Sequence, residues 1–259
     1  MFPFSINTDT YDRGGEIESR LGMFIEAGFR FIHWCEHACS AHLYSDKEIE
    51  RIKRLLSQYR IRCLDIHGVY SVEQREALSL SKWVDLNTNR MEFVSALGGD
   101  VIVLHVPYKS LVGEASELDT AKQMIDALLP VSRRLGVRIA VENCFCDHLL
   151  REMLSVYTFN DLGFCFDSGH AQINNNMDIL ETFLDRVLLV HLHDNYGTND
   201  DHNLPGQGVI DWKRIMRLVL TCPFLRTLTL EVGLLSEQDH LKWTKDAYVS
   251  LKNIAGYAG

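Results

Sequence analysis

The 259-residue sequence predicts an α/β protein that is a single domain over residues 1–259, folded as a (β/α)8 TIM barrel. Three observations predict it. Short apolar runs alternate eight times with longer amphipathic segments over about 250 residues, the count and length that close a barrel. Neither a G-x-G-x-x-G nor a G-x-x-x-x-G-K-[ST] motif marks the crevice of an open doubly wound sheet. No linker, low-complexity tract or convincing repeat divides the chain.

Strands are expected over residues 3–8, 30–34, 61–67, 100–105, 137–143, 162–167, 187–193 and 226–232. Several of these runs, such as the one before Glu142, are apolar on both faces, as buried parallel strands are. Helices are expected near 14–27, 46–59, 71–97, 115–135, 147–158, 175–184, 209–219 and 236–256. The clearest lies around 48–59, where Ile49, Ile52, Leu55 and Leu56 recur at three- and four-residue steps. Ser45-Asp46 offers its cap, and Glu48 and Glu50 fall in its first turn. Leu118, Ala121, Ile125 and Leu128 repeat that pattern further on, and Gly14-Gly15 and Gly98-Gly99 read as turns. The longest polar loop, DNYGTNDDHNLPGQG over 194–208, carries Asp200, Asp201 and His202. A loop of that length is either disordered or functional.

Composition narrows the function. With 46% hydrophobic and 24% charged residues the chain is an ordinary globular one. A net charge of -9 and a pI of about 5.6 disfavour nucleic acid as a partner, since such affinity comes mainly from Lys and Arg on phosphates. The basic cluster Arg51, Lys53, Arg54, Arg60 and Arg62 reads as a solvated helix face and its exit. None of the seven cysteines forms a CxxC pair, and Cys63, Cys144 and Cys165 sit in or beside apolar runs as small hydrophobes. That usage fits a reducing cytoplasm. The start Met1-Phe2-Pro3-Phe4-Ser5 lacks the basic region of a signal peptide, and no run reaches the roughly 18 apolar residues of a membrane span.

Six of the apolar runs end on a ligand-type residue: His67, His105, Glu142, Asp167 with His170 three residues on, His191, and Glu231. As parallel strands of one barrel they would gather these side chains at the rim where barrel enzymes place their chemistry. A lone histidine at a strand end is more often a hydrogen-bonded structural group than a ligand. Six together have the donors that a divalent metal takes, and a carboxylate closing a buried run needs a partner. Alternation puts His191 and His193 on one side of their strand.

The pattern resembles the xylose isomerase-like barrel superfamily, which includes sugar and sugar-phosphate isomerases and epimerases, related dehydratases and endonuclease IV. The resemblance rests on Val141-Glu142-Asn143, on Phe166-Asp167-Ser168-Gly169-His170-Ala171 and on His191-Leu192-His193-Asp194-Asn195. It continues through Asp200-Asp201-His202, Pro205-Gly206-Gln207-Gly208-Val209-Ile210-Asp211-Trp212 and Leu230-Glu231-Val232. It implies one divalent metal, zinc or manganese, on Glu142, Asp167, His191 and Glu231, with His170 beside it on the substrate. His193 is a second candidate ligand on the seventh strand and, with His170, Trp34 and Tyr70, a candidate substrate contact. The endonuclease IV pattern would add His67, His105, His170, Asp200 and His202, and up to three metals per chain.

For an isomerase or epimerase the metal would polarise the sugar carbonyl while Glu142 and Glu231 remove and return a proton as catalytic bases. Trp34, His33 and Tyr70 either line a sugar pocket or pack as ordinary rim residues. Trp212 reads as an anchor for the helix after it, and Lys109 as solvated rather than bound to phosphate. The stretch Asp194 to Thr198 lacks the Arg that ketose 3-epimerases carry there, which puts that sugar clamp in doubt. Cys35 to His42 is not basic, which counts against DNA as substrate. The expectation is therefore a cytoplasmic metal-dependent sugar or sugar-phosphate isomerase or epimerase of carbohydrate metabolism, with homo-oligomerisation left open. The alternatives are a zinc phosphodiesterase at abasic DNA sites, a keto-polyol dehydratase and a non-catalytic barrel.

Overall fold

The computed structural model describes residues 2–10, 16–70, 78–106, 116–144, 147–234 and 239–258. The strands are β1 Phe4–Asn7, β2 Phe31–Trp34, β3 Arg62–His67, β4 Val101–Leu104, β5 Arg138–Glu142, β6 Gly163–Asp167, β7 Val187–Leu192 and β8 Leu228–Leu230. They close into one barrel in sequence order, every neighbouring pair parallel, with β1 pairing β8. Around it lie α1 Ile17–Ala27, α2 Asp46–Tyr59, α3 Leu80–Ala96, α4 Glu117–Leu135 and α5 Asp147–Val156. The short α6 Ser168–Ile173 and α7 Ile179–Thr182 follow, then α8 Trp212–Val219 and α9 His240–Ala255. The (β/α)8 expectation holds, and each expected strand is present within two residues of its start.

Local chemistry sets the helix starts. Ser45 and Glu48 form a reciprocal capping box at α2, and the side chains of Ser79, Ser116 and Asp239 cap α3, α4 and α9. A large apolar cluster, including Ile6, Phe24, Trp83, Ile102, Leu128, Phe166 and Val190, fills the space between strands and helices. Burying each such side chain contributes about 1.5–3 kcal/mol. A smaller cluster, with Val101, Val103, Ala140, Cys165 and Leu189, occupies the inward strand face. Two residues further along β5, β6 and β7, the same inward face turns polar at Glu142, Asp167 and His191, and this switch positions the site.

Several boundaries differ from the sequence reading. The helix expected over 175–184 is reduced to the single turn of α7. Instead α6 starts directly after β6, because Asp167 caps it and accepts the His170 N–H at 2.6 Å, and α7 and a 3-10 turn at Leu184–Arg186 follow. The helix expected from 209 begins at Trp212 under an Asp211 cap. The strand expected over 226–232 is confined to β8, so Glu231 lies one residue beyond it. The helices expected from 14, 71, 115 and 236 begin among the described residues at Ile17, Leu80, Glu117 and His240, the last three behind the caps Ser79, Ser116 and Asp239, while Gly14, Gly15, Lys109 and Cys146 lie outside the described residues. Among the described residues six cysteines are free thiols, and no helix is long and apolar enough to cross a membrane.

Candidate metal centre

Glu142, at the end of β5, is buried at the centre of the polar rim. Four imidazoles from different elements surround its carboxylate. His170 Nδ1 lies 3.0 Å from Oε1, while His105 Nε2, His191 Nδ1 and His67 Nε2 lie 3.2, 3.4 and 3.6 Å from Oε2. His191 Nδ1 also lies 2.9 Å from Glu231 Oε2. Asp167 faces His193 Nε2, 3.1 Å from both of its oxygens. The loop after β7 folds back to add Asp200, 3.1 Å from His202 Nε2 and 3.3 Å from His170 Nε2. Among the described residues five groups have ligand atoms within 4.8 Å of one another: Glu142, Asp167, His191 and Glu231; His67, His105 and Glu142; His193, Asp200 and His202; His33, His191 and Glu231; and Glu142, Cys165 and His191.

The donor set fits a divalent cation. Both Glu142 oxygens, His170 Nδ1 and both ring nitrogens of His191 are buried and out of hydrogen-bond alignment. They are close enough for ion pairing, yet their lone pairs are not spent on each other's protons, an arrangement that is costly without a shared partner. Burial opposes charge on Glu142, but His105, His191 and His170 outweigh it and hold the carboxyl well below its usual range. Burial likewise opposes charge on Glu231, and His191 overcomes it. Burial disfavours charge on His170, yet Asp167, Asp200 and Glu142 push its pKa up to about 12. His202 rises against burial to about 10 beside Asp200 and Glu231. Without a cation, protons on His170, His191 and His202, whose pKa values the neighbouring acidic groups raise against burial, offset the carboxylate charge. Metal uptake should therefore release protons, seen calorimetrically as a binding enthalpy that changes with the ionisation enthalpy of the buffer.

A family model for the xylose isomerase-like TIM barrel matches residues 24–248. The chain belongs to the xylose isomerase-like TIM barrel family. Among curated proteins it is similar to the uncharacterized protein y4fM of Sinorhizobium fredii, 28% identical with 85% of this chain and 82% of that protein covered. Among solved structures it is similar to an L-ribulose 3-epimerase, with a TM-score of 0.76 at 12% identity over 100% of this chain and 96% of that one. It is also similar to the IOLI protein described with a binding zinc atom, with a TM-score of 0.72 at 18% identity over 99% and 98% of the two chains. At these identities the structural likeness is one of fold.

In this xylose isomerase-like barrel the ligand-type side chains are held by a further layer of contacts. His67 Nδ1–H donates to the Gly68 carbonyl at 2.8 Å, and His202 Nδ1–H to the Glu231 carbonyl at 2.9 Å, so each turns Nε2 into the site. Asn143 locks β5 to β6, its side chain bonding both the carbonyl and the N–H of Asp167 at 2.8 and 2.7 Å. Gly169 is required by His193: a Cβ there would sit 1.9 Å from His193 Cε1. Gly→Ala inside a helix ordinarily stabilises by about 0.5–1 kcal/mol. Here Gly169→Ala should instead cost about 1–3 kcal/mol by overpacking a fully buried ring. Urea denaturation checks the sign, and the displaced His193 should weaken metal binding.

The cavity above the centre, about 260 Å³, is also lined by Asn7, Asp9, Cys35, Tyr70 and Gly233. Tyr70 stands at its mouth, its ring centroid 5.1 Å from that of His67 and 5.4 Å from that of His105. Trp34 is not brought to this cavity. It alternates with the inward His33 and points into the helix layer, donating to Tyr44 Oη at 2.8 Å and packing 5.0 Å from Phe93. Trp212 anchors α8 by donating to Asp194 at 2.8 Å, and Arg51, Lys53, Arg54, Arg60 and Arg62 are all solvent-exposed. Sequence reading missed the His33–Asp65 pair, Asp194 as the organiser of its loop, and Asn7 and Asp9 in the cavity wall. Asp65 carried a readable signal, since it lies two residues before His67 and so shares its face.

Proposed function

We propose that this protein is a divalent-metal-dependent isomerase or epimerase of a sugar or sugar phosphate, working by proton transfer at a carbon next to a carbonyl. The observation that carries this reading is the Glu142, Asp167, His191 and Glu231 set, with both Glu142 oxygens unspent at the cavity floor. The fold shared with a ribulose epimerase supports it. Those four residues would hold zinc or manganese, which when bound supplies Lewis-acid polarisation of the carbonyl and its neighbouring oxygen. Glu142 and Glu231 reach one imidazole from β5 and from beyond β8, so both carboxylates border one space. Their neighbours keep them ionised, as a base must be. One takes the proton and the other returns it, to the same carbon for an epimer or to the adjacent one for an isomer. His170, partly exposed, is placed to donate to a substrate hydroxyl, and Tyr70 offers a flat apolar face. The cavity is of small-molecule size.

Protein loaded with Mn²⁺ or Zn²⁺ and incubated with a panel of ketoses and their phosphates in D₂O should incorporate deuterium beside the carbonyl of at least one. Chelation should stop it, and no metal-dependent exchange across the panel would contradict the proposal. Metal at about 100 times its Kd should also stabilise the fold by about 2.7 kcal/mol, a gain that chelator removes in a thermal melt. A dehydratase would show the same exchange but expel water from the product.

One observation favours a second reading, a zinc phosphodiesterase at abasic DNA sites: the ligand-type residues form several groups rather than one, and those with His67 and His105 and with His193, Asp200 and His202 extend beyond the four-residue set. The net charge of -9, and a rim segment from Cys35 to Tyr44 without Lys or Arg, weigh against it. Three zinc ions per chain with cleavage of an abasic duplex would establish it over the sugar reading.

A further inference from the structure

A second polar layer lies with the rim set on the inward strand face. His33 on β2 and Asp65 on β3 both point into the barrel and are buried. The Asp65 carboxylate holds His33 Nδ1. Against a carboxylate that nitrogen carries the proton, which leaves a lone pair on Nε2. Nε2 is buried and has no partner. The His33 ring lies 4.5 Å from that of His191 and 5.9 Å from that of His67. His33, His191 and Glu231 can bring one ligand atom each within 4.8 Å of one another.

A carboxylate on one nitrogen and a bare lone pair on the other is how proteins prepare a histidine for a metal. As barrel filling the arrangement is costly, because a buried acceptor without a donor loses its hydration and gains nothing. His67 and His202 are prepared the same way, by backbone carbonyls. We infer that His33, oriented by Asp65, is a further ligand of the metal centre, joining His191 and Glu231 to form an inner position for a cation. This rests on the reading that the rim binds a divalent cation. The two positions share His191 and Glu231 but differ in chemistry. The rim set offers three carboxylates and one imidazole, which suits Mn²⁺. The inner set offers two imidazoles and one carboxylate, which suits Zn²⁺ and Co²⁺. His33 thus favours nitrogen-preferring metals over manganese.

The probes are Co²⁺, followed by its visible absorption, and Mn²⁺, followed by its electron spin resonance, each titrated into the full chain. His33→Asn keeps an N–H for Asp65 and removes the Nε2 lone pair with the outer edge of the ring. It should weaken Co²⁺ binding about 10–100-fold and change the Co²⁺ spectrum. Mn²⁺ affinity should stay within about twofold. Asp65→Asn should act in the same direction on Co²⁺, by about tenfold, and decides the matter if His33→Asn does not fold. Wild-type Co²⁺ affinity and spectrum in a folded variant would overturn the inference, as would equal weakening of Co²⁺ and Mn²⁺, the mark of a merely structural pair. Wild-type protein that binds neither metal would sink the proposed function and this inference together. Normal metal binding by wild type and variants alike would sink only the inference.

Discussion

Glu142→Gln is expected to abolish tight metal binding and to lower kcat by about 10²–10⁴ or more, the range for removing a positioned general base. Four imidazoles contact this one carboxylate, at 3.0, 3.2, 3.4 and 3.6 Å. Glutamine keeps the shape and removes the charge. Its NH₂ group would also present hydrogens where a cation needs a lone pair. The fold should survive. Breaking a buried charge pair can cost about 3–5 kcal/mol when the remaining charge is trapped, but imidazoles can shed their protons and become neutral. Metal analysis after desalting, with circular dichroism to confirm folding, checks the first part, and deuterium exchange checks the second. A folded Glu142→Gln protein with wild-type metal content would remove Glu142 from the centre.

Asp194→Ala is expected to be the most destabilising single change near the site. Asp194 is fully buried just after β7. Its Oδ1 accepts from the N–H groups of Asn195 and Ile210 at 3.0 and 3.2 Å, and its Oδ2 from Gly206 N–H and Trp212 Nε1–H at 2.9 and 2.8 Å. Its backbone pairs both ways with Asn203. These bonds fold the 194–208 loop against the barrel and bring Asp200 and His202 to the rim. Each donor left unsatisfied costs about 1–3 kcal/mol, so with partial rewetting the loss should be about 4–6 kcal/mol. That is a large share of the roughly 5–15 kcal/mol that stabilises a domain. Chemical denaturation should show a greatly lowered midpoint, and the folded fraction should lose whatever metal depends on Asp200 and His202. Asp194→Asn keeps one acceptor oxygen and should lose less. The packing is tight enough that a Cβ on Gly208 would lie 2.2 Å from the Asn195 carbonyl oxygen.

The strands and most of the rim were legible in the sequence because one physical rule governs both. A buried parallel strand is apolar on both faces until it reaches the rim, and the change to His, Asp or Glu marks its end. What the sequence hid follows from rules of shorter range. The helix after β6 escaped because α6 is six residues long, too short for periodicity, and is set by the Asp167 cap. Trp34 was weighed as a pocket residue because the inward and outward faces of β2 cannot be counted from its run. Plain alternation leaves His33 inward and Trp34 outward, and the register shift with β3, which skips Leu64, is what pairs His33 with Asp65. The length of the 194–208 loop drew attention to Asp200 and His202, but their role as ligands came only through family resemblance. Their approach depends on a return of the loop that uses His202 at φ 49° and the Asp194 bonds, which no pattern of residue types encodes.

The central claim is that Glu142, Asp167, His191 and Glu231 together hold a divalent cation. The most direct measurement is an anomalous difference map from crystals of the zinc- or manganese-loaded protein. The account predicts a peak about 2.0–2.2 Å from ligand atoms of these residues. Fully loaded crystals with no peak at these four side chains, or with metal bound only elsewhere, would contradict it.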